Sequence, residues 1–565
     1  MDKEKKQEIT RRSFIKKTAA GAGAIAATGA GLMATTNASA QTAASTAAAS
    51  GQASKYAWQK TYSWETPPAA IPDSRIKEKV ETDILVIGCG VSGMTAALSA
   101  NEEKARVIVL EKHTNYLCRG SDNAAIDSKV QKKLGIKIDK DEVCLALQKY
   151  CGNRSDQRLL RMWANNSGRI IDWLADITEP QGIMLKMKKY PYYPKGYDAS
   201  KEWNRDFEVS HWFTGRQPGL MATLEKVALK KGVDIRYNTR AVQLRKEKDR
   251  VTGVVAQDKD GNYVLYNAAK AVIMCTGDYG HDEEMMEAYC KPCADIAKTT
   301  SPYDPPINTG DGHKMAMWAG GVMEPGPHAA VDHSSGGPMG ACAFLHVNTL
   351  GERYENEDVT SQMISNSMKY QPGKVFWQIY DSKWEDEVEK MGVGLLMYGD
   401  ASGKAPDASE GDWLIKTPEP PAGKKVQANN LDDLARKMGI PANTFKTTVA
   451  RYNELCKQGK DLDFGKRADR MTTIDKPPYY AGEAVIAFLV SLGGLFVNTK
   501  LQLLDKERKP IEGIYMAGNT VGNRFANDYT TMCPGMTHAF AWTTGYLAAK
   551  SALGVKDPAF EPVKA

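Results

Sequence analysis

Residues 83–100 read DILVIGCGVSGMTAALSA. The apolar run Ile84–Ile87 has the pattern of a buried parallel strand, and the Ala-rich stretch after Gly93 that of a helix. Between them Gly88, Gly90 and Gly93 stand at G-x-G-x-x-G spacing. In turn they allow a tight bend, close backbone approach to a pyrophosphate, and close contact between helix and strand. The helix start, at Val91 and Ser92, offers unpaired N–H groups to phosphates. A second strand, RVIVLEK, ends at Glu111 with Lys112 beside it, about where an acidic residue accepts the ribose hydroxyls. Strand, turn, helix and acid in this order place a dinucleotide-binding fold here.

Flavin and nicotinamide dinucleotides share that fingerprint, so more distant segments must discriminate. Residues 118–125, CRGSDNAA, form a small polar loop of the kind that wraps a flavin's phosphates and ribityl chain. Residues 232–280, from GVDIRYNTR to CTGDYG, read as strand, hairpin, strand and a glycine-punctuated turn. Residues 509–522, KPIEGIYMAGNTVG, lead into a last helix near the C-terminus. The order resembles the FAD-dependent family of fumarate reductase and succinate dehydrogenase flavoprotein subunits and 3-ketosteroid dehydrogenases, from about Glu81 to Gly554. The resemblance implies an α/β fold: a Rossmann-like FAD-binding domain of the glutathione-reductase type, interrupted by an inserted α+β capping domain. It also implies FAD, held non-covalently because no covalent-attachment motif is recognised. The cofactor contacts it implies are Gly88, Gly90, Val91, Ser92, Gly93, Glu111, Lys112, Gly120, Ser121, Asn123, Ala124, Val242, Thr276, Gly277, Asp311, Gly518, Asn519, Gly535 and Met536.

The N-terminus adds an address. Residues 10–40, TRRSFIKKTAAGAGAIAATGAGLMATTNASA, join a charged start with Arg11-Arg12, a weakly apolar middle, and the small-residue cleavage site Ala38-Ser39-Ala40. This is the pattern of a twin-arginine signal, which exports proteins already folded. A flavin loaded in the cytoplasm gives a reason to fold first. Gly and Thr interrupt the apolar middle, which is too weak for a membrane span. The expected layout is a signal peptide over 1–40, a linker and N-terminal arm over 41–80, and the N-terminal portion of the FAD-binding domain over 81–325. The capping domain then covers 326–476, and the C-terminal portion of the FAD-binding domain covers 477–565. The mature protein is expected in the periplasm or on the extracytoplasmic face, without spanning the membrane. Much of the formal charge of +6 lies in the signal, so a near-neutral mature chain points to neither nucleic acid nor a membrane surface.

Of ten cysteines, Cys290 and Cys293 form a CxxC pair. Followed by Ala294, it is no covalent haem site. A disulfide, two free thiols and a metal site all remain open for it, although no fuller metal-ligand set is grouped in the sequence. Within the cap, residues 431–466 suit two short helices, in which Arg451, Tyr452 and Asn453 read as structural packing.

In the resembled family a reduced flavin gives hydride to the β-carbon of an activated alkene while a protein acid protonates the α-carbon. Soluble fumarate reductases add an arginine acid in a segment like NE…TTR, a histidine before an MGG turn, and another arginine near the C-terminal helix. Here the first segment reads RYENEDVTSQ, leaving Ser361 at the acid position. The second reads FLVSLGG, with Val490 in place of the histidine. The third reads GNTVGNRFANDYTTMCPGMTHAF, where Tyr529 is nearest the Pro534-Gly535 turn and Arg524 lies earlier. An unpaired carboxylate in a closed apolar site is costly, so this pattern is poorly suited to fumarate. Phe488, Leu489, Val490 and Leu492 suit a bulky enone or aryl-alkenoate instead.

Ketosteroid dehydrogenases also carry a tyrosine before a Pro-Gly turn, where its hydroxyl polarises the substrate carbonyl. The catalytic candidates are Tyr529, Ser361 and His538; the substrate-binding candidates are Val490, Arg524 and His211, the last in a Tyr- and Trp-rich stretch. The helix starting at Gly535 is expected to point its positive end at the flavin. With no haem motif in the chain, electrons are expected from a separate cytochrome c or quinol-linked donor, and the acceptor is a small unsaturated carbonyl compound in anaerobic electron transfer. Two other readings stay open: a 3-ketosteroid-type dehydrogenase that introduces a C=C bond, and a non-catalytic FAD electron carrier.

Overall fold

A computed structural model describes residues 60–118, 120, 122–187, 207–300, 307–336, 344–359, 361–384, 386–387 and 424–556. The expected signal, the linker up to residue 59, and Ser121 lie outside the described residues. Two compact units divide the chain after Thr66. In the first, Ser63–Glu65 make one 3-10 turn and the rings of Tyr62 and Trp64 stack with centroids 5.7 Å apart.

The second unit is built on an eight-stranded sheet. Its parallel heart is β1 (Ile76–Ile87), flanked by β2 (Val107–Leu110) and β3 (Tyr263–Met274), with Pro510–Met516 beyond β3 and Asp234–Arg236 beyond β2. Antiparallel hairpin partners Arg240–Glu247 and Arg250–Gln257 extend the β3 side. β1 starts at Ile76, earlier than the expected domain start at Glu81, because Glu78–Thr82 pair with Val264–Ala268 of β3. Lys and Glu on this mostly exposed outer half hide the strand in the sequence. The arm survives as residues 69–75: Ile71 N–H donates to Gln243 Oε1 at 2.9 Å, and Asp73 pairs with Arg245 at 3.1 Å.

α1 (Val91–Glu102) follows β1 and is packed between backbones. A Cβ on Gly93 would come within 1.9 Å of Gly88 O, and one on Gly545 of the C-terminal helix (Met536–Ala552) within 2.3 Å of Ser92 O. Both near-contacts are with main chain, so no side-chain rotation relieves them. These two glycines let the strand, α1 and the C-terminal helix touch directly.

The insert forms a second, antiparallel sheet from β4 (Ala330–Gly336), β5 (Phe376–Asp381) and β6 (Tyr479–Ser491), with Leu345–Val347 and Lys425–Ala428 alongside. Helices Leu431–Met438 and Ala442–Gln458 cover it, burying Leu434, Phe445, Val449 and Tyr452 against Trp377, Ile379 and Ala481. The family-like segment serves packing. Arg451 pairs with Asp463 at 2.8 Å, and Asn453 bonds both ways with Ile474. Tyr452 lies beneath Arg353 and Lys466, which share Glu357 at 2.8 and 3.2 Å. The boundary expected at residue 477 falls too early: β6 pairs wholly within the second sheet, and the chain bridges back toward the first only near Leu495. Its apolar sequence looks the same in either sheet.

Gly545→Ala should cost about 1–3 kcal/mol, the scale of overpacking where the facing atom is main chain. Equilibrium denaturant unfolding of the variant against the natural chain measures it.

Candidate functional site

A cleft opens at the C-terminal ends of β1, β2 and β3, enclosing about 1210 Å³ free of protein atoms when the open space at its mouth is counted. Ligands of open α/β sheets bind at this edge. Its lining includes the expected Gly88, Gly90, Val91, Ser92, Glu111, Lys112, Thr276, Gly277, Asp311, Gly518, Asn519, Val490 and His538. Two helices begin here, α1 after Gly90 and the C-terminal helix after Gly535, and neither N-cap has a side-chain hydrogen bond. Val91 and Ser92 of one first turn, and Thr537 and His538 of the other, face the same space. Such N-termini are anion sites.

Glu111 is fixed by the main chain: Oε2 accepts from Cys89 N–H at 3.0 Å and Oε1 from His113 N–H at 3.1 Å. Across the cleft Asp311 accepts from Lys112 at 3.2 Å and Arg240 at 3.1 Å. Burial works to raise the Asp311 carboxyl, but the two cations outweigh it and hold it below the ordinary range. The buried Thr276 Oγ1 and His113 Nε2 have no hydrogen-bond partner among the described residues, and both residues line the cleft. Orphaned polar atoms, two uncapped helix starts and a fixed acid suit a dinucleotide whose phosphates are anionic and whose ribose and ring donate and accept.

A family model described as FAD binding domain matches residues 83–530. The chain belongs to this FAD-binding family. It is an FAD-dependent oxidoreductase. A vinyl phenol reductase of Lactiplantibacillus plantarum is 28% identical to it over 82% of this chain and 94% of that protein. A fumarate reductase (cytochrome) of Shewanella frigidimarina is 28% identical over 78% of this chain and 72% of that one. The structure of a 3-ketosteroid-Δ4-(5α)-dehydrogenase from Rhodococcus jostii superimposes with a TM-score of 0.64 at 20% identity, covering 85% of this chain and 98% of that one, a likeness of fold. Bound FAD supplies hydride chemistry to this family. Here the α1 start would meet its pyrophosphate, Glu111 its ribose, and the C-terminal helix start the charge that reduction creates.

Several expected site residues stand behind the cleft. Gly93 serves helix packing. Asn123 is buried, its Oδ1 accepting from Gln217 at 2.8 Å and from Trp542 at 2.7 Å. Ala124 N–H donates to Gly535 O at 3.2 Å, and Met536 is wholly buried, so these residues brace the C-terminal helix start. Gly120 lies against His538, whose Nδ1 is 2.8 Å from Asp122 O. Val242 lies just past the lining residues Arg240 and Ala241.

His211 is a satisfied core histidine rather than a ligand contact, with Nε2 at 2.7 Å from Ser128 Oγ and Nδ1 at 2.8 Å from Val209 O. Burial depresses its pKa to about 4, so it stays neutral. Arg524 does not reach the cleft either. Its Nε donates to Val521 O at 2.7 Å, Nη2 to Leu492 O at 3.1 Å, and Nη1 to the lining residue Asn519 at 3.3 Å. Tyr529 is buried one layer back and bonds Thr537, a lining residue. Burial raises its hydroxyl well above the ordinary value, so it holds its proton. Ser361 begins the helix Ser361–Met368, and its side chain lies outside the described residues. Cys290 and Cys293 are free, buried thiols. Among the described residues no helix is long and apolar enough to cross a membrane.

The sequence reading missed Arg240, Asp278, Asn308, Cys118 and Thr537 in the lining. Cys118, Asp278 and Thr537 sit inside recognised motifs. Arg240 follows the YNT turn, whereas Asn308 carries no signal.

Glu324 ties two turns behind the cleft, accepting from Gly494 N–H at 3.0 Å and Asn523 N–H at 2.9 Å. Burial pushes it up to about 7 from an ordinary 4.5, against the pull of those two N–H groups. The folded state therefore holds a proton between these values that the unfolded chain releases. Its contribution to stability is complete below about pH 4.5 and is lost as pH rises through about 7. Relative to Glu324→Gln, the natural chain should lose melting temperature across that interval in a pH series. Glu111→Ala should weaken FAD binding by about tenfold or more, the scale of one lost charge-assisted hydrogen bond, in a fluorescence titration of apoprotein with FAD.

Proposed function

We propose that this chain is an exported reductase of an activated C=C bond, acting on a bulky enone or aryl-alkenoate rather than on fumarate. The observation that carries this reading is the state of Arg524. Its guanidinium is engaged by two main-chain carbonyls and the Asn519 side chain, away from the cleft, while Val490 lines the cleft itself. Neither arrangement offers a carboxylate clamp. Lys112 and Arg240, the cations of the lining, are already paired with Asp311. The vinyl phenol reductase relative supports an aromatic acceptor.

When bound, reduced FAD supplies the hydride for the β-carbon. The proton for the α-carbon, or a hydrogen bond to the carbonyl, falls to Tyr529. Burial keeps that hydroxyl protonated, and its partner Thr537 sits in the lining. FAD is held without a covalent bond. Electrons arrive from a separate cytochrome c or quinol-linked donor, at the periplasmic or extracytoplasmic face to which the twin-arginine pattern directs the folded protein, as part of anaerobic electron transfer.

Tyr529→Phe keeps the ring and its packing, so FAD content should persist while turnover falls by about 100-fold, the usual scale for a lost general acid. Viologen-coupled assays over enones, 4-vinylphenol, cinnamates, urocanate and fumarate measure it. Fumarate turnover equal to that of the best aromatic acceptor would overturn the reading of the pocket. Acid precipitation should leave the flavin in a yellow supernatant.

A further inference from the structure

Next to Tyr529 stands a carboxylate that the chemistry above does not use. Asp528 Oδ1 accepts from the Tyr529 main-chain N–H at 2.9 Å and from Gln362 Nε2 at 3.4 Å. Its Oδ2 accepts from Tyr150 Oη and from Asn366 Nδ2, both at 2.8 Å. Four donors fill the acceptor sites of one carboxylate. They come from three places: the helix Lys140–Tyr150 of the first sheet's domain, the helix Ser361–Met368 of the insert, and the segment leading to the C-terminal helix.

The orientation of each amide is chemically forced. Lys369 Nζ only donates, and it bonds Asn366 Oδ1 at 3.0 Å, so Asn366 must turn its NH2 toward Asp528. Asp332 N–H bonds Gln362 Oε1 at 3.1 Å, which turns that NH2 toward Asp332 Oδ1 and Asp528. Lys369 is itself anchored to the buried Asp332 at 2.7 Å. Donation therefore runs from Lys369 through Asn366 to Asp528, where it meets the Tyr529 main-chain N–H donating to the same carboxylate from the other side.

We propose that Asp528 is a positioning residue that couples the seating of the helix Ser361–Met368 to the placement of Tyr529. When the insert sits down, Asn366 and Gln362 complete the carboxylate's partners, and the same oxygens hold the Tyr529 backbone. If the insert lifts, the carboxylate loses both amides and the Tyr529 segment loosens with it. The proton donor is then in place only when the site is covered. The consequence for turnover rests on the reading of Tyr529 above; the coupling of the two segments does not.

The test is hydrogen–deuterium exchange by mass spectrometry on the FAD-loaded protein, following peptides that cover 361–370 and 524–532. Asp528→Asn sets its NH2 against that of Asn366 or, flipped, against the Tyr529 N–H and the Gln362 NH2, so exchange should rise by about tenfold in both peptides together, while FAD content stays unchanged. Asn366→Asp alone sets carboxylate against carboxylate and should do the same; it carries the test should Asp528→Asn fail to fold. Combining the two substitutions restores a donor facing an acceptor and leaves the new carboxylate beside Lys369. Exchange in both peptides should then return toward the natural value. A rise in one peptide only, no rise in either, or failure of the reciprocal pair to restore protection overturns the coupling. Turnover is read in parallel: kcat should fall in each single variant and recover in the pair. Should Tyr529→Phe leave turnover intact, the turnover statement falls and the exchange result alone judges the coupling.

Discussion

Two helices begin at one cleft with nothing from their N-cap side chains on their first N–H groups, and much of the molecule is arranged around that fact. Uncapped helix starts are costly unless water or an anion meets them. Bringing two to one place requires α1 and the C-terminal helix to touch through their backbones, which Gly93 and Gly545 permit. The parallel heart of the sheet then aims the ends of its strands at the same opening. Glu111 does not serve these helix starts, since both its oxygens are held by main-chain N–H groups on its own rim. The arrangement thus leaves two helix starts for the anionic groups of the cofactor.

The cofactor half of this arrangement was legible because its requirements are local. Spacing of Gly88, Gly90 and Gly93, and an acid at the end of the next strand, each follow from backbone geometry over a few residues. They place a dinucleotide-binding fold; the more distant segments and the family match over residues 83–530 make the cofactor FAD. The missed or misplaced features depend on packing between distant segments. His211 stands in a polar, aromatic stretch, yet Ser128, 83 positions away, satisfies it in the core. Arg524 looks like an available cation until Leu492 and Val521 claim it. Tyr529 sits near the predicted place but one layer back, behind Thr537. The strand Tyr479–Ser491 is apolar enough for either sheet, and only pairing decides which.

Charge is distributed differently in the two halves. The insert encloses Arg353, Glu357, Asp461 and Lys466, all nearly or fully buried, in a closed network that holds Glu357 below the ordinary range despite burial. Such a network is strongly destabilised by removing one partner, so it favours a rigid insert. Around the cleft the lining charges are instead paired across it, with Lys112 and Arg240 meeting on Asp311. Rigidity resides in the cover, and the recognition groups belong to the floor.

One strand belongs to both. β6 is the longest strand of the second sheet, yet Val490 near its end lines the cleft, and Ser491 is bonded to Asp278 of the floor at 3.3 Å. In mechanical terms the cover is fastened to the floor here as well as through Gln362 and Asn366 on Asp528. The same strand end both shapes the cleft and belongs to the second sheet, so a change in the pairing of that sheet is felt directly at the cleft wall.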